Sequence, residues 1–489
     1  MDGTQGGRPD DTSGAHPSGA DSSGARPSGA GALPFRVKLG YGGAESAGSL
    51  IWTVFYTYFL FYLTDVVKMN PGVAGFIMMV GSIWQAGFTP LAGVFSDTRT
   101  WRRGRRRPFL LAMAAPYGII SWLLFTDLRL SSAWTTAYVL ATVILYFTVY
   151  VLIDVPFTAL AAEMTQDYDE RTSLVTYRTA WSQVATIIGA AAPLALAGVL
   201  ATWLGSERAG WSVMAAVLGV AAAVPVLLTW RVTRGYEIFP DKTEMTWRDV
   251  FGDALRNRTF RYTVGIYAAS YTAINLLMAV SVYFLTYVMH YGDNMTSLAL
   301  FVWVVAGLAW LPLINLVTRR WGKRFALAAF MAFWALSMAA MLLVGPHTVI
   351  LFWALILISP AGAVAATMLT WAMIPDCTEI DEFKTGQRRE GLYYGVATLA
   401  QQTAVALMMW FTGIFLTLIG YVPDVPQTHG TLLGIRLYWA LGSALFAIVT
   451  LVLAIRLPLT REKHAALRAA IESRKAGHEP TTEGFADVL

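Results

Sequence analysis

The chain of 489 residues is 56% hydrophobic, 13% aromatic and only 14% charged, with a mean hydropathy of +0.52, a balance that excludes a soluble protein of this size and points to a polytopic membrane protein. The net charge of +5 does not read as a nucleic-acid surface, because the Lys and Arg residues fall between apolar runs, as membrane topology demands. The single cysteine, Cys377, excludes an internal disulfide and a thiolate metal cluster.

Residues 1–34, with DTSGAHPSGADSSGARPSGAGA, form a Gly/Ser/Pro tail expected to be disordered. No apolar segment follows a basic start there, as a cleaved signal peptide requires. Segments near spanning length, roughly 20 residues, then run at about Ser46–Val67, Gly72–Phe95, Phe109–Asp127, Thr135–Leu160, Thr176–Leu200 and Trp211–Val232. A polar central connector, 233–259, follows. Six more segments run at about Phe260–Met289, Ser297–Val317, Phe325–Val344, Val349–Ile374, Gly391–Gly420 and Thr431–Leu457. The pattern predicts an all-α membrane protein of twelve spans, with a six-span half at 35–232, a second at 260–457, and a solvated tail at 458–489, helical around REKHAALRAAIESRK.

Orientation follows from the basic residues. With the N-terminus in the cytoplasm, inside loops carry Arg99, Arg102, Arg103, Arg105, Arg106 and Arg107, then the connector's five, then Arg319, Arg320, Lys323 and Arg324, then Lys384, Arg388 and Arg389. The outside loops carry only Lys68, Arg129 and Arg208. Both termini are therefore expected in the cytoplasm, with the protein multi-pass in the cytoplasmic (plasma) membrane.

The halves echo each other. SDTRTWRRGRRRPF after span 2 matches NLVTRRWGKRF after span 8, pairing Asp97 with Asn315 and Gly104 with Gly322. ERTSLVTYR before span 5 pairs with RREGLYYG before span 11. Two repeated six-helix halves are the signature of the major facilitator architecture. Topogenic charge alone explains many of these arginines, but a Gly-centred basic loop recurring at the same place suggests a cytoplasmic gate. Its candidates are Asp97, Arg105, Arg106, Arg171, Asp376 and Arg388, and the acidic clusters DYDER and EIDEF supply ion-pair partners.

Read singly, Asp154 is the sharpest candidate for function. A carboxylate at span depth costs roughly 2.5–3.5 kcal/mol, so it faces a cavity or a partner; a helix-end pair with Arg178 is the bland reading. Glu45 suits the start of span 1 as a cap, with coupling the alternative, and Asp65 reads as interfacial. Gln183, Asn275, Gln401 and Gln402 read as interhelical hydrogen-bonding groups, Gln402 also as a lining residue. Of the span aromatics, Tyr56, Tyr150 and Trp84 are the candidates to stack on a solute. There is no GxxxxGK[ST] loop for ATP, no HExxH, and no metal spacing among the six histidines. No metal, no cofactor and no enzyme activity are expected.

KLGYGGAESAGSLIW, YLTDVVKMNP, SIWQAGFTPLAGVFSD, WRRGRRRPF, IDVPFTALAAEMTQDYDERTSLVTYR and WAMIPDCTEIDEFKTGQRREGLYYG, in this order over residues 35 to 460, resemble the glycoside–pentoside–hexuronide:cation symporters of the major facilitator superfamily. The resemblance implies a central site between two halves and sugar uptake driven by sodium or protons. In melibiose-transporting members, two span 2 aspartates build a cation site with a threonine and an aspartate of span 4. Those positions read Gln85, Thr89, Val151 and Asp154 here, so one carboxylate remains and a sodium site of that type is not expected. The sugar-gripping positions read Ser49, Asp154, Thr158 and Gln402, with Tyr150, Tyr56, Trp84, Arg178 and Thr398 around them. Arg178 meets the family's arginine only with a one-residue slip. The expected function is a monomeric secondary transporter of a small organic solute, a sugar or glycoside by resemblance, working by alternating access and either proton-coupled or uncoupled. A lipid or metabolite carrier, and a transport-inactive sensor or scaffold, are the alternatives. Coupling would fall to Asp154, with Gln85 and Thr89 as its neutral remnant. The bilayer is the expected partner, and nucleic acid is not.

Overall fold

The computed structural model describes residues 33–98, 104–165, 167–236, 256–386, 389–423, 425–476, 485 and 488, the side chains of 97, 98 and 168 excepted. Most of the N-terminal tail and of the central connector, the Asp97 side chain and Arg388 therefore lie outside the described residues.

The described chain is helical. The first half comprises α1 (Phe35–Val54, continued through π-helical stretches Phe55–Phe59 and Tyr62–Val66), α2 (Pro71–Thr98), α3 (Arg107–Leu124), α4 (Ser132–Met164), α5 (Tyr168–Leu204) and α6 (Glu207–Val232). The second comprises α7 (Arg258–Val288), α8 (Asp293–Trp321), α9 (Lys323–Leu343), α10 (Val349–Thr385), α11 (Glu390–Leu418) and α12 (His429–Arg456), followed by α13 (Arg461–Lys475). Eleven of these, α2 to α12, are long and apolar enough to cross a bilayer, and α1 is the twelfth helix of the repeat. Trp203, Ile350, Leu336 and Leu418 stand 71–89% exposed on the outside, as side chains facing lipid do.

Local sequence sets the boundaries. Asp167, Ser206, Asn257 and Thr428 each accept a backbone N–H in the first turn of α5, α6, α7 and α12, satisfying donors that a helix start leaves open. Gly104 and Gly322, the repeat-matched glycines, both hold positive φ, 103° and 86°, a conformation a side chain would resist. The repeat read from the sequence is thus a repeat of backbone geometry.

Helices outrun the apolar segments that mark them, and three cases bear on the site. Hydropathy starts span 1 at Ser46, ends span 4 at Leu160 and starts span 5 at Thr176, whereas the helices begin at Phe35, end at Met164 and begin at Tyr168. Polar helical turns extend past the lipid-compatible stretch, and hydropathy cannot see them. In α1 the small residues of GYGGA are packing contacts, since a Cβ at Gly42 would stand 2.8 Å from the Trp181 ring and 2.9 Å from the Tyr177 backbone. Glu45 is consequently not a helix cap but lies ten residues inside α1.

The named contacts between halves gather at the end opposite the basic loops. Thr64 Oγ1 meets Tyr283 Oη at 2.7 Å, and Asp65 accepts hydrogen bonds from Tyr287 Oη and, at 2.5 Å, Tyr421 Oη. Gly72 N donates to Thr417 Oγ1 at 3.1 Å, and Ala195 N to Ser297 Oγ at 3.1 Å. Gly75 and Gly413 let α2 and α11 meet backbone to backbone, a Cβ on Gly75 falling 2.7 Å from the Met409 carbonyl oxygen. Asp65, read as interfacial, is only 3% exposed.

Candidate functional site

Glu45 on α1, Asp154 on α4 and Arg178 on α5 each sit ten residues in from the helix terminus at the basic end, Phe35, Met164 and Tyr168. At 1.5 Å per residue this is a common depth of about 15 Å. Because α1, α4 and α5 run alternately, residues far apart in sequence converge in one layer. Glu45 and Asp154 line a cavity of 250 Å³ with Ser49, Trp52, Tyr150 and Ser182, all contributed by the first half.

Beside it the Arg178 guanidinium donates through Nε to Glu45 Oε2 and lies 5.4 Å over the ring of Phe157, Glu45 and Phe157 both lining the cavity. The pairing of Arg178 with Asp154 read from the sequence is not the one formed: Glu45 takes it. The Asp154 carboxylate has no hydrogen-bond partner among the described residues, while its backbone carbonyl accepts from Thr158 Oγ1 at 2.6 Å. Ser49 and Ser182 hydroxyls pair at 2.7 Å. Tyr150 stacks on Tyr146 at 6.3 Å and approaches Trp52 at 6.1 Å. One guanidinium thus serves a cavity wall with two carboxylates, one of them unbonded.

The remaining candidates fall elsewhere. Tyr56 is 2% exposed, tilted against Trp52 at 4.4 Å and bonded to Ser82, so it packs and is not among the residues lining the cavity. Trp84 donates to Thr148 Oγ1 at 2.9 Å and stacks on Phe88, and it too is outside the cavity's lining. The Thr89 hydroxyl is spent on the Gln85 backbone carbonyl at 2.8 Å, one turn back. Gln85 is buried, its Oε1 without a partner. No cluster of three or more metal-ligating side chains occurs among the described residues.

Thr398 lies beside Tyr267 in the second half, within an aromatic cluster. Trp371 Nε1 donates to Tyr271 Oη at 2.9 Å and stacks on Tyr394 at 5.3 Å, and Tyr267 meets Tyr271 edge-on at 4.7 Å. Gln402 is half-buried one turn beyond Thr398 on α11. This cluster carries no charge.

Among the basic-end candidates, Arg105 and Arg106 both bond Glu163 Oε1, at 2.7 and 3.1 Å, a residue of α4 in their own half. Asp376 holds Lys323 through both oxygens at 2.8 Å, within the second half. Arg171 is exposed and, among the described residues, hydrogen-bonds only the Thr165 carbonyl, at 3.5 Å. At the far end, burial together with the Asp65 charge pushes the Tyr421 phenol above its ordinary pKa, so it stays a donor.

A model of the MFS/sugar transport protein family matches residues 40–461. The chain belongs to that family. It is 26% identical to an uncharacterized symporter of Synechocystis, over 91% of this chain and 97% of the relative. An uncharacterized symporter of Bacillus subtilis is 27% identical, over 88% and 94%. The solved structure of a D-xylose–proton symporter superposes with a TM-score of 0.59 at 15% identity, over 86% of this chain and 97% of that one, a likeness of fold. With that membership, and with its apolar helices, the chain is a multi-pass plasma-membrane protein and a secondary transporter of small, sugar-like solutes, as its resemblance to the glycoside–cation symporters implied.

Proposed function

We propose that the protein is a proton-coupled symporter of a neutral polyhydroxylated solute, a sugar or glycoside, with its basic end and both termini in the cytoplasm. The observation that carries the reading is the unbonded Asp154 carboxylate beside a Glu45–Arg178 pair in a 250 Å³ cavity. Two carboxylates sharing one guanidinium leave one negative charge uncompensated, and a proton on Asp154 removes it. Protonated, Asp154 gains a donor for a solute hydroxyl; deprotonated, it competes with Glu45 for Arg178. Ser49, Ser182 and Tyr150 supply neutral hydroxyls. The altered span 2 positions support protons over sodium: the Thr89 hydroxyl is occupied and Gln85 brings no charge. Among the described residues no group is arranged for bond-making chemistry on the solute, and the protein is taken as a monomer.

Counterflow in proteoliposomes against a glycoside panel, with and without sodium and with an imposed pH gradient, tests the reading. Wild type is expected to respond to pH and ignore sodium, with flux stimulated where the solution on the entry side is acidic. Asp154→Asn is expected to lose the pH response. Sodium-stimulated flux would overturn proton coupling. Absence of glycoside flux under every condition would overturn the solute class in favour of a lipid or metabolite.

A further inference from the structure

A second cavity, of 760 Å³, opens at the basic end of the second half, between the start of α7, the α8–α9 turn, α10 and the α12–α13 junction. Arg319, Lys323, Arg324 and Arg461 line it, against the carboxylates of Asp376 and Glu462. Asp376 is already taken by Lys323 through both oxygens. Among the described residues, Arg324 and Arg461 spend donors only on backbone carbonyls, Ile455 for the first and Arg319 and Arg320 for the second. A carbonyl satisfies a hydrogen bond but leaves the charge uncompensated. Arg319 has no side-chain partner among the described residues.

The repeat supplies the comparison. In the matching turn of the first half, of the arginines among the described residues, Arg105 and Arg106 close on Glu163, and Arg107 on the Trp230 carbonyl at 2.7 Å. In the second half α13 roofs the cavity instead, fixed by His464 and Arg468 on Glu379 and by Lys475 on Glu382. The rim is apolar: Trp321, Phe325 and Ile455 are each 52–54% exposed, with Trp321 and Phe325 in ring contact at 5.8 Å. An aromatic rim beside a basic pocket is what the bilayer–water boundary selects.

We propose that this cavity binds a phosphate ester anion, and that its source is the headgroup of an anionic phospholipid in the leaflet at the basic end. The guanidinium groups of Arg319, Arg324 and Arg461 take the phosphate, and the acyl chains leave over Phe325 and Ile455. The lipid meets the charge of these three guanidinium groups, while Asp376 meets Lys323 as Glu163 meets Arg105 in the first half. This does not depend on the solute or the coupling ion.

The test is a native mass-spectrometric titration of the full chain with phosphatidylglycerol and, separately, phosphatidylcholine. Wild type is expected to retain phosphatidylglycerol preferentially, and Arg319→Gln and Arg461→Gln to weaken it each by roughly fivefold. Arg319→Gln leaves the backbone carbonyls that anchor Arg461 in place, so it removes charge without freeing α13. Arg208→Gln, at the opposite end, is expected to change nothing. Displacement of the lipid by soluble glycerol phosphate would uphold the anion site but move its source to a free phosphate ester. Equal retention of both lipids, or an equal loss in all three variants, would overturn the proposal.

Discussion

At one end of the molecule Asp65, Tyr287 and Tyr421 bond across the two halves, with Thr64 and Tyr283 beside them. At the basic end, Arg105 and Arg106 bond Glu163 inside the first half, and Lys323 bonds Asp376 inside the second. The contrast is one of function as well as chemistry. Hydroxyl-to-carboxylate bonds and glycine contacts between α2 and α11 form a closure that can be made and broken. Ion pairs within a half brace each bundle as a rigid body and leave the halves free to part there. The Glu45–Arg178–Asp154 layer lies nearer the braced end, and under the function proposed above this is the side from which solute would reach it.

The contrast can be broken most forcefully at Gly413. A side chain there would run into the Pro71 carbonyl and the Gly75 backbone, and overpacking of this kind costs about 1–3 kcal/mol or more where backbone cannot yield. Gly413→Val is expected to wedge the closed end apart and stop transport. Maleimide labelling of Thr64→Cys in a Cys377→Ser background would rise; unchanged labelling would show that this contact does not hold the closure. Next in size is Glu163→Gln, which leaves two largely buried guanidinium groups without their carboxylate at a cost of about 3–5 kcal/mol. Thermal unfolding should fall by several degrees while Thr64→Cys labelling stays as before, because the brace belongs to one half.

A finer test removes one donor from Asp65. A hydrogen bond to a charged group contributes about 1.5–3 kcal/mol, so Tyr421→Phe is expected to shift the balance toward the open end by roughly tenfold, read from the same labelling. The smallest effect is expected at Arg208, whose bond to Asp127 at 3.1 Å is partly exposed. Arg208→Gln should change stability by about 0–1 kcal/mol and leave both labelling and flux intact.

Asp154 was legible as functional because a carboxylate at span depth demands a reason, and Arg178 because its motif resembles the family's. Hydropathy misplaces Glu45, because it ends where polar helix begins and so hides the first eleven residues of α1. Asp65 was misread because a carboxylate near a span end ordinarily faces water; its partners, Tyr287 and Tyr421, lie 222 and 356 residues away and no local pattern joins them. Tyr56 and Trp84 were chosen by type, and packing spent both elsewhere.

The sequence by itself determined the helices, their count and the internal repeat, because apolar length, charge asymmetry and glycine chemistry are local properties that act before any two helices meet. Only the tertiary structure decided which carboxylate holds Arg178, which end is closed, and which basic turn keeps its charge unpaired. Those outcomes depend on distances between helices, and a side chain's partner is fixed by the one surface that packing brings within reach.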